Sequence, residues 1–115
     1  MEDCIFCKII EGSIPSQRVY EDDLCYAFKD INPQAPVHVL LVPKKHAANV
    51  MELDTAEDEA LLGHLQQVTG RLAKELGIAG SGFRVLTNCG QDACQTVKHL
   101  HYHILGGAQM SEKMA

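Results

Sequence analysis

The sequence predicts an α+β fold in which an antiparallel sheet of about five strands packs against one long helix, with a short helix near the N-terminus. Strand-like apolar runs occur on both sides of a single helical repeat of leucines, and no repeat or Pro/Gly/Ser-rich linker divides the chain. At 115 residues with 46% hydrophobic content, we expect one domain, residues 1–115, with a modest core that dimerisation would extend.

The first half of the chain is expected to supply the short helix and three strands. Residues 4–10 place their apolar side chains on one helical face before a glycine cap. Residues 18–20 and 24–28 flank an acidic turn, which predicts a β-hairpin. Residues 37–42 are apolar except for one histidine and stop at a proline, which predicts a central strand.

The second half begins with the long helix. It is predicted from Asp54 or Thr55 to Leu76, because Thr55 and Asp58 resemble a capping box and a glycine follows. One stripe recurs at helical spacing, at Leu61, Leu65, Val68, Leu72 and Leu76. His64 lies beside this stripe and is interpreted as a boundary residue. A strand over 83–87 follows.

In the segment 99–107, a histidine stands at every second position from 99 to 103. Side chains alternate across a strand, so His99, His101 and His103 would line one face, about 6.6 Å apart, above the apolar Leu100, Tyr102 and Ile104. A solvent-facing polar row is the plainer interpretation. Three crowded imidazoles repel when protonated and are well suited to act as base, nucleophile or ligand, which favours a functional row.

The net charge of the chain limits the classes of molecule that it is expected to bind. The net charge of −5 and the absence of a basic run argue against a groove for DNA or RNA, although a single nucleotide stays possible. The acidic opening of the chain is unlike a secretory signal, and no stretch reaches transmembrane length. We therefore expect a cytoplasmic protein without membrane contact.

Five cysteines, an odd number, do not form a disulfide framework in a cytosolic chain. Cys4 and Cys7 make a C-x-x-C pair that is a redox pair, a metal knuckle or an accident of sequence. With no preceding strand and no intervening proline, a thioredoxin-like site is disfavoured. Cys25, Cys89 and Cys94 are interpreted as small buried or loop residues.

The motifs together resemble a known family. The H-x-H-x-H row of 99–103, the preceding Gln95-Thr96-Val97 and the upstream segment 30–36 (DINPQAP) are similar to the histidine triad (HIT) superfamily, in its Hint branch, over nearly the whole chain. The resemblance implies a homodimeric enzyme without an organic cofactor. Its substrates would be purine nucleoside 5′-phosphoramidates and related adenylates, from which it releases AMP or GMP.

The resemblance assigns the chemistry to three histidines. The middle one, His101, would attack the α-phosphorus and form a nucleotidyl-histidine that water then cleaves, so one difficult displacement becomes two easier ones. His103 and His38 would donate to phosphate oxygens or relay the leaving-group proton. A satisfied core histidine is the competing interpretation of His38.

The nucleotide-binding residues are also implied by the resemblance. Gln95 and Thr96 would lie against the phosphate, with Asn88 on the phosphate side of the ligand, although ordinary loop polarity explains all three equally well. Asp30 matches the ribose carboxylate, or else begins the turn before Pro33. Apolar residues that would sandwich the purine, or serve as plain core, are Ile5, Phe6, Ile9, Ile14, Phe28 and Ile31.

Several HIT proteins of the bacterial type, which this chain resembles, carry a zinc site at positions that match Cys4, Cys7, His46 and His99. Two thiolates and two neutral imidazoles satisfy tetrahedral Zn²⁺ without net charge, so the resemblance implies a closed structural site rather than a catalytic one. It would orient His99 and tie the N-terminal helix to the histidine row.

The chain departs from the family pattern in three places. Cys94 and Thr96 stand where many Hint sequences have glycine and serine, and the tail lacks the aromatic end of some relatives. Two rival functions are a zinc hydrolase that uses all three triad histidines as ligands, and a nucleotide-binding regulatory module whose hydrolysis is incidental.

Overall fold

The computed structural model describes residues 3–114 and has the predicted α+β architecture. A five-stranded antiparallel sheet runs in the order β1-β2-β3-β5-β4. Its elements, in chain order, are α1 Ile5–Ile10, β1 Arg18–Glu21, β2 Cys25–Lys29, β3 Val37–Pro43, α2 Ala56–Glu75, β4 Phe83–Leu86 and β5 Tyr102–Gly106, with a 3₁₀ turn at Val50–Glu52. In the described range no helix is long and apolar enough to cross a bilayer.

The predicted helix ends are confirmed. Thr55 caps α2 and forms a reciprocal capping box with Asp58, which satisfies two backbone donors that the first turn otherwise leaves unpaired. Lys45 donates to the same carboxylate at 2.7 Å and lowers the pKa of Asp58. Gly12 and Gly77 follow the two helices with φ of +89° and +76°, the left-handed region in which a helix commonly ends.

The sheet has an apolar cluster on each face. The larger cluster lies between the sheet and α2 and includes Leu41, Leu65 and Leu72, all fully buried. The smaller lies under α1 and includes Phe6 and Leu40. Leu40 and Leu41 point to opposite faces because side chains alternate along a strand. The central strand β3 therefore supports both helices.

The histidine row is only partly a strand, which corrects the expectation of three imidazoles on one strand face. β5 begins at Tyr102, opposite Leu41 of β3, so His99 and His101 precede the ladder. Pro43, which would face Leu100 in the same register, has no amide to donate. The amide of Leu100 donates instead to the carbonyl of Ala47, in the loop that follows β3. The apolar partners of the row still pack as expected: Leu100 and Ile104 are buried, with Tyr102 against the same cluster.

A polar network joins the hairpin to α2 at Asp22. One carboxylate oxygen accepts the amides of Leu24 and Cys25, and the other accepts the Tyr20 hydroxyl at 2.8 Å and lies 2.6 Å from Nε2 of His64. Partial burial opposes ionisation of Asp22, but these bonds lower its pKa overall. His64 is a half-buried boundary residue as predicted, and this carboxylate is the partner that the sequence did not indicate.

The packing of α2 predicts the effect of core truncation. Leu65→Ala should lower the free energy of unfolding by about 2–5 kcal/mol, because the removed side chain is fully buried between helix and sheet. Urea denaturation followed by circular dichroism measures this. Gln66→Ala, at the next and exposed position of the same helix, should change stability by less than about 0.5 kcal/mol. Equal losses in the two variants would contradict this account of the core.

Candidate active site

A cavity of about 370 Å³ opens between α1 and the sheet, beside the histidine row. One wall is apolar, and the other carries polar and titratable side chains. This combination is usual for a site that binds a small molecule. The apolar lining is Ile5, Phe6, Ile9, Pro15, Phe28, Ile31, Leu40 and Val97; the polar lining is Ser16, Lys29, Asp30, Thr96, His101 and His103.

The structure brings most of the sequence-predicted nucleotide residues to this cavity. Five of the six apolar candidates line it, and the sixth, Ile14, packs under α1 instead. Asp30, Thr96 and two of the histidines line it as well. Asn88 and Gln95 do not line it.

The side chain of Gln95 is used internally. Its amide nitrogen donates to the carbonyls of Ala48 and Val97, at 2.7 and 3.1 Å, and its oxygen accepts the amide of Gly90 at 2.9 Å. These bonds hold in place the loop from which Thr96 extends into the cavity. Next to it, Cys94 has a φ of 60°, in the left-handed region where glycine is favoured. The Gln95 side chain therefore shapes the loop rather than facing the cavity.

His101 is held in one tautomer by the backbone. Its Nδ1 lies 2.7 Å from the carbonyl oxygen of His99, which can only accept, so Nδ1 carries the hydrogen. In the neutral ring Nε2 then has a free lone pair. No buried side-chain nitrogen or oxygen of residues 3–114 lacks a partner, so Nε2, which has none there, is reached by solvent. The edge of Phe6 packs on the ring at a centroid distance of 5.0 Å.

His38 and His103 form a directed pair. The backbone amide of Gln34 donates to Nδ1 of His38 at 3.0 Å, so the hydrogen of a neutral His38 is on Nε2. That nitrogen lies 2.9 Å from Nδ1 of His103, which must accept it. The hydrogen of His103 is therefore on Nε2, the nitrogen left for the cavity.

Burial keeps this pair neutral. It lowers the pKa of His38, although the carboxylate of Asp30 acts in the opposite direction. Burial, together with the neighbouring His101 and His38, lowers the pKa of His103 to about 4. Near neutral pH both rings are thus uncharged hydrogen-bond donors.

Asp30 stands at the junction of the cavity and the pair. One of its oxygens accepts the amide of Asn32 at 2.8 Å, which fixes the turn before Pro33. The other lies 3.3 Å from Nε2 of His38. The side chain is 18% exposed and lines the cavity, so its carboxylate is available to a ligand.

A separate cluster gathers Cys4, Cys7, His46 and His99 behind α1. Nε2 of His99 donates to the carbonyl of Pro43 at 2.8 Å, which leaves the lone pair of Nδ1 facing the cluster. This Nδ1 lies 3.3 Å from Sγ of Cys4, 3.5 Å from Sγ of Cys7 and 3.1 Å from Nδ1 of His46. Burial and the neighbouring Cys4 raise the pKa of the Cys7 thiol to about 11 in the absence of a cation.

The donor atoms of this cluster fit tetrahedral zinc. With Zn–S near 2.3 Å and Zn–N near 2.0–2.1 Å, tetrahedral geometry separates S from N by about 3.5 Å and N from N by about 3.3 Å. The observed separations of 3.3–3.5 Å and 3.1 Å are close to both values. All four donors come from the chain, so no position is left for a catalytic water.

The three histidines of the row each have different neighbours. His99 belongs to the Cys/His cluster, His103 pairs with His38, and His101 belongs to no group of potential metal ligands among residues 3–114. A zinc hydrolase that uses the whole row as ligands has no geometric support here.

The groups that sequence reasoning missed are backbone atoms that orient the histidines and several residues that line the cavity. The carbonyls of His99 and Pro43 and the amide of Gln34 set the histidine tautomers, and no side-chain pattern marks such groups. Five residues also line the cavity without having been predicted to do so: Pro15, Ser16, Lys29, Leu40 and Val97.

Comparison with known proteins gives a consistent result. Residues 11–110 match the HIT domain family. An uncharacterized HIT-like protein of Synechocystis sp. is 57% identical over 110 residues, which are 96% of this chain and 95% of that protein.

Solved structures show the same fold. A HIT family hydrolase from Clostridium thermocellum has a TM-score of 0.94 at 50% identity, over 100% of this chain and 99% of that one. A histidine triad nucleotide-binding protein from Candida albicans has a TM-score of 0.80 at 34% identity, over 98% and 87% of the two chains. The similarity to a hydrolase supports a hydrolase-type enzyme. With the family match covering most of its length, the chain belongs to the HIT domain family.

Proposed function

We propose that this protein hydrolyses purine nucleoside 5′-phosphoramidates and related adenylates through a covalent nucleotidyl intermediate on His101. One observation supports this more than any other: Nδ1 of His101 is tied to the carbonyl of His99, so Nε2 presents its lone pair beside the cavity. An imidazole in this tautomer is ready to act as a nucleophile without first losing a proton.

The proposed reaction has two displacements. Nε2 of His101 attacks the α-phosphorus, the P–N bond breaks, and the nitrogen leaves as an amine after taking a proton from water. Water then attacks the same phosphorus, the bond to Nε2 breaks, and the nucleoside monophosphate departs. The proton that this water loses neutralises the hydroxide left by the first step. The neutral imidazole is restored, so the ring is unchanged after one turnover.

Neutral donors stabilise the phosphate oxygens in this proposal. His103, whose ring is fixed by His38, and Thr96 line the same cavity as His101, so Nε2–H of His103 and the Thr96 hydroxyl would donate to a phosphate bound there. Gln95 contributes by holding the Thr96 loop, rather than by direct contact. Asn88 lies outside the cavity lining, so we assign it at most a contact with the outer side of the phosphate.

The nucleoside would occupy the apolar part of the cavity. Phe6, Ile9 and Phe28 are buried and offer flat or branched surfaces to a purine, and Ile31 covers it from the rim. Asp30 offers its second oxygen to the ribose hydroxyls. The apolar wall of the cavity and the carboxylate of Asp30 suit the base and the sugar of a mononucleotide.

We assign structural Zn²⁺ to Cys4, Cys7, His46 and His99. When bound, the ion supplies a tetrahedral cross-link and no chemistry for the substrate. Cys4 and Cys7 belong to the first turn of α1, which forms one side of the cavity, and His99 lies two residues before His101. The four ligands would therefore connect α1 to the segment that carries the proposed nucleophile.

We also propose a cytoplasmic homodimer. β4 is an edge strand with unpaired backbone groups along its free side, and Phe83 at its start is 40% exposed. Pairing of this edge with a second copy would cover both features and extend the small core.

The covalent step can be tested directly. Wild-type protein mixed with an adenosine 5′-phosphoramidate and quenched with alkali should show a mass increase of one adenylyl group, located on His101 by peptide mapping. His101→Ala should show no adduct and a turnover rate reduced by at least about 10³-fold, because the nucleophile itself is missing.

His64→Ala serves as the matched control, since it removes a histidine that lies outside the cavity lining. It should keep the adduct and the rate once folding is verified by circular dichroism. A folded His101→Ala protein that turns substrate over at the parental rate would exclude the proposed mechanism.

The pKa of His103 predicts a pH dependence of stability. Its pKa is about 4 in the folded chain against an ordinary value of 6.5, so between these values the unfolded chain binds more protons. This contribution destabilises the fold progressively as the pH falls from about 6.5 to 4 and is constant outside that window. The free energy of unfolding of wild type minus that of His103→Gln should therefore fall across the window; a flat difference would refute the lowered pKa.

Metal content tests the proposed zinc site. Wild-type protein should carry one zinc per chain by plasma mass spectrometry, and Cys7→Ser should lose most of it, because zinc holds thiolates far better than hydroxyls. Cys94→Ser, at an exposed cysteine outside the cluster, should retain the metal. Full zinc occupancy in Cys7→Ser would rule out this ligand set.

A further inference from the structure

Asp30 lines the cavity and also contacts the histidine pair. Its first oxygen is committed to the amide of Asn32, at 2.8 Å. The second lies 3.3 Å from Nε2 of His38 and belongs to a side chain that lines the cavity. A ligand hydroxyl that donates to this second oxygen shares it with His38.

The single hydrogen on Nε2 of His38 therefore has two competing acceptors. Nδ1 of His103 lies at 2.9 Å and the carboxylate oxygen of Asp30 at 3.3 Å. His38 has no second hydrogen to offer, because its Nδ1 accepts the amide of Gln34. Any attraction toward the carboxylate weakens the bond that fixes His103.

We propose that Asp30 couples the sugar hydroxyls to the histidine pair, so that a bound ribose diol orders His103 as a donor and accelerates the chemical step as well as strengthening binding. Hydroxyls that donate to the second oxygen of Asp30 reduce its pull on Nε2–H of His38. That hydrogen then belongs to Nδ1 of His103, and linked hydrogen bonds strengthen one another. Asp30 is thus a positioning residue for His103.

This inference rests on the proposed function, because it assumes that the phosphate reacts at His101. It adds a prediction about substrates: the cavity should favour ribonucleosides over 2′,3′-dideoxynucleosides in the rate of the reaction itself. A ribose contact that only binds would affect the half-saturating concentration and leave the saturated rate unchanged.

Single-turnover kinetics separate these two effects. Wild type at saturation should form the adduct about tenfold more slowly from the 2′,3′-dideoxyadenosine phosphoramidate than from the adenosine compound, since a hydrogen bond to a charged group is involved. In Asp30→Asn the two substrates should react at equal saturated rates. Asp54→Asn, an exposed carboxylate that does not line the cavity, should retain the wild-type ratio.

Nitrogen NMR of the histidine rings tests the coupling without catalysis. Saturating adenosine should shift the ¹⁵N resonances of His38 and His103 in wild type, whereas 2′,3′-dideoxyadenosine should leave them near their free positions. His64 gives an internal reference because it bonds to Asp22 instead. This measurement needs no variant, so a misfolded Asp30→Asn protein does not prevent the test.

The outcomes separate the two proposals. Absence of an adduct from either substrate would reject the proposed function, and the ring resonances would still decide the coupling. An adduct that forms at equal saturated rates from both substrates would overturn the coupling and leave the covalent mechanism standing. Equal histidine shifts with both nucleosides at saturation would overturn it as well.

Discussion

The hydrogen bond from Nδ1 of His101 to the carbonyl of His99 is the constraint on which the rest of the site depends. A neutral imidazole has one hydrogen, and placing it on Nδ1 decides that Nε2 carries the lone pair. The bond is possible because the chain has not yet joined the sheet at these residues. On a regular strand, the carbonyl of His99 would point to a neighbouring strand and not toward a ring two residues later.

The position of that carbonyl depends in turn on His99 itself. This ring is fully buried, donates from Nε2 to the carbonyl of Pro43, and presents Nδ1 to the thiols of Cys4 and Cys7. One residue therefore connects the end of the central strand, the first turn of α1 and the proposed nucleophile. A cation held by the cluster would stiffen the same residue, so its expected effect on His101 is positional.

The sequence was sufficient to predict the helices, the strands and most of the buried apolar faces, but not which polar side chains face the cavity. The leucine repeat and the capping box are properties of residue identity and predicted α2. The alternation around His101 predicted the buried faces of Leu100 and Ile104, although β5 itself begins only at Tyr102. Contacts made by backbone atoms could not be predicted, because every residue offers the same carbonyl and amide. Gln95 shows what the sequence could not decide. An amide side chain in a polar loop can bind a ligand or bond to the backbone equally well, and only the folded structure shows that it bonds to the backbone.

The number of protons that the His38–His103 pair can hold restricts its chemistry further. A second proton on His38 must enter Nδ1, which accepts the amide of Gln34, and a second proton on His103 must enter Nδ1, which accepts from His38. Burial opposes the charge and lowers the pKa of both rings, and either addition would also break a hydrogen bond. A pair that stays neutral can stabilise charge that develops on phosphate oxygens in the transition state. It would attract a doubly charged monophosphate, the product of the proposed reaction, less strongly than an arginine or lysine would, which favours release of that product.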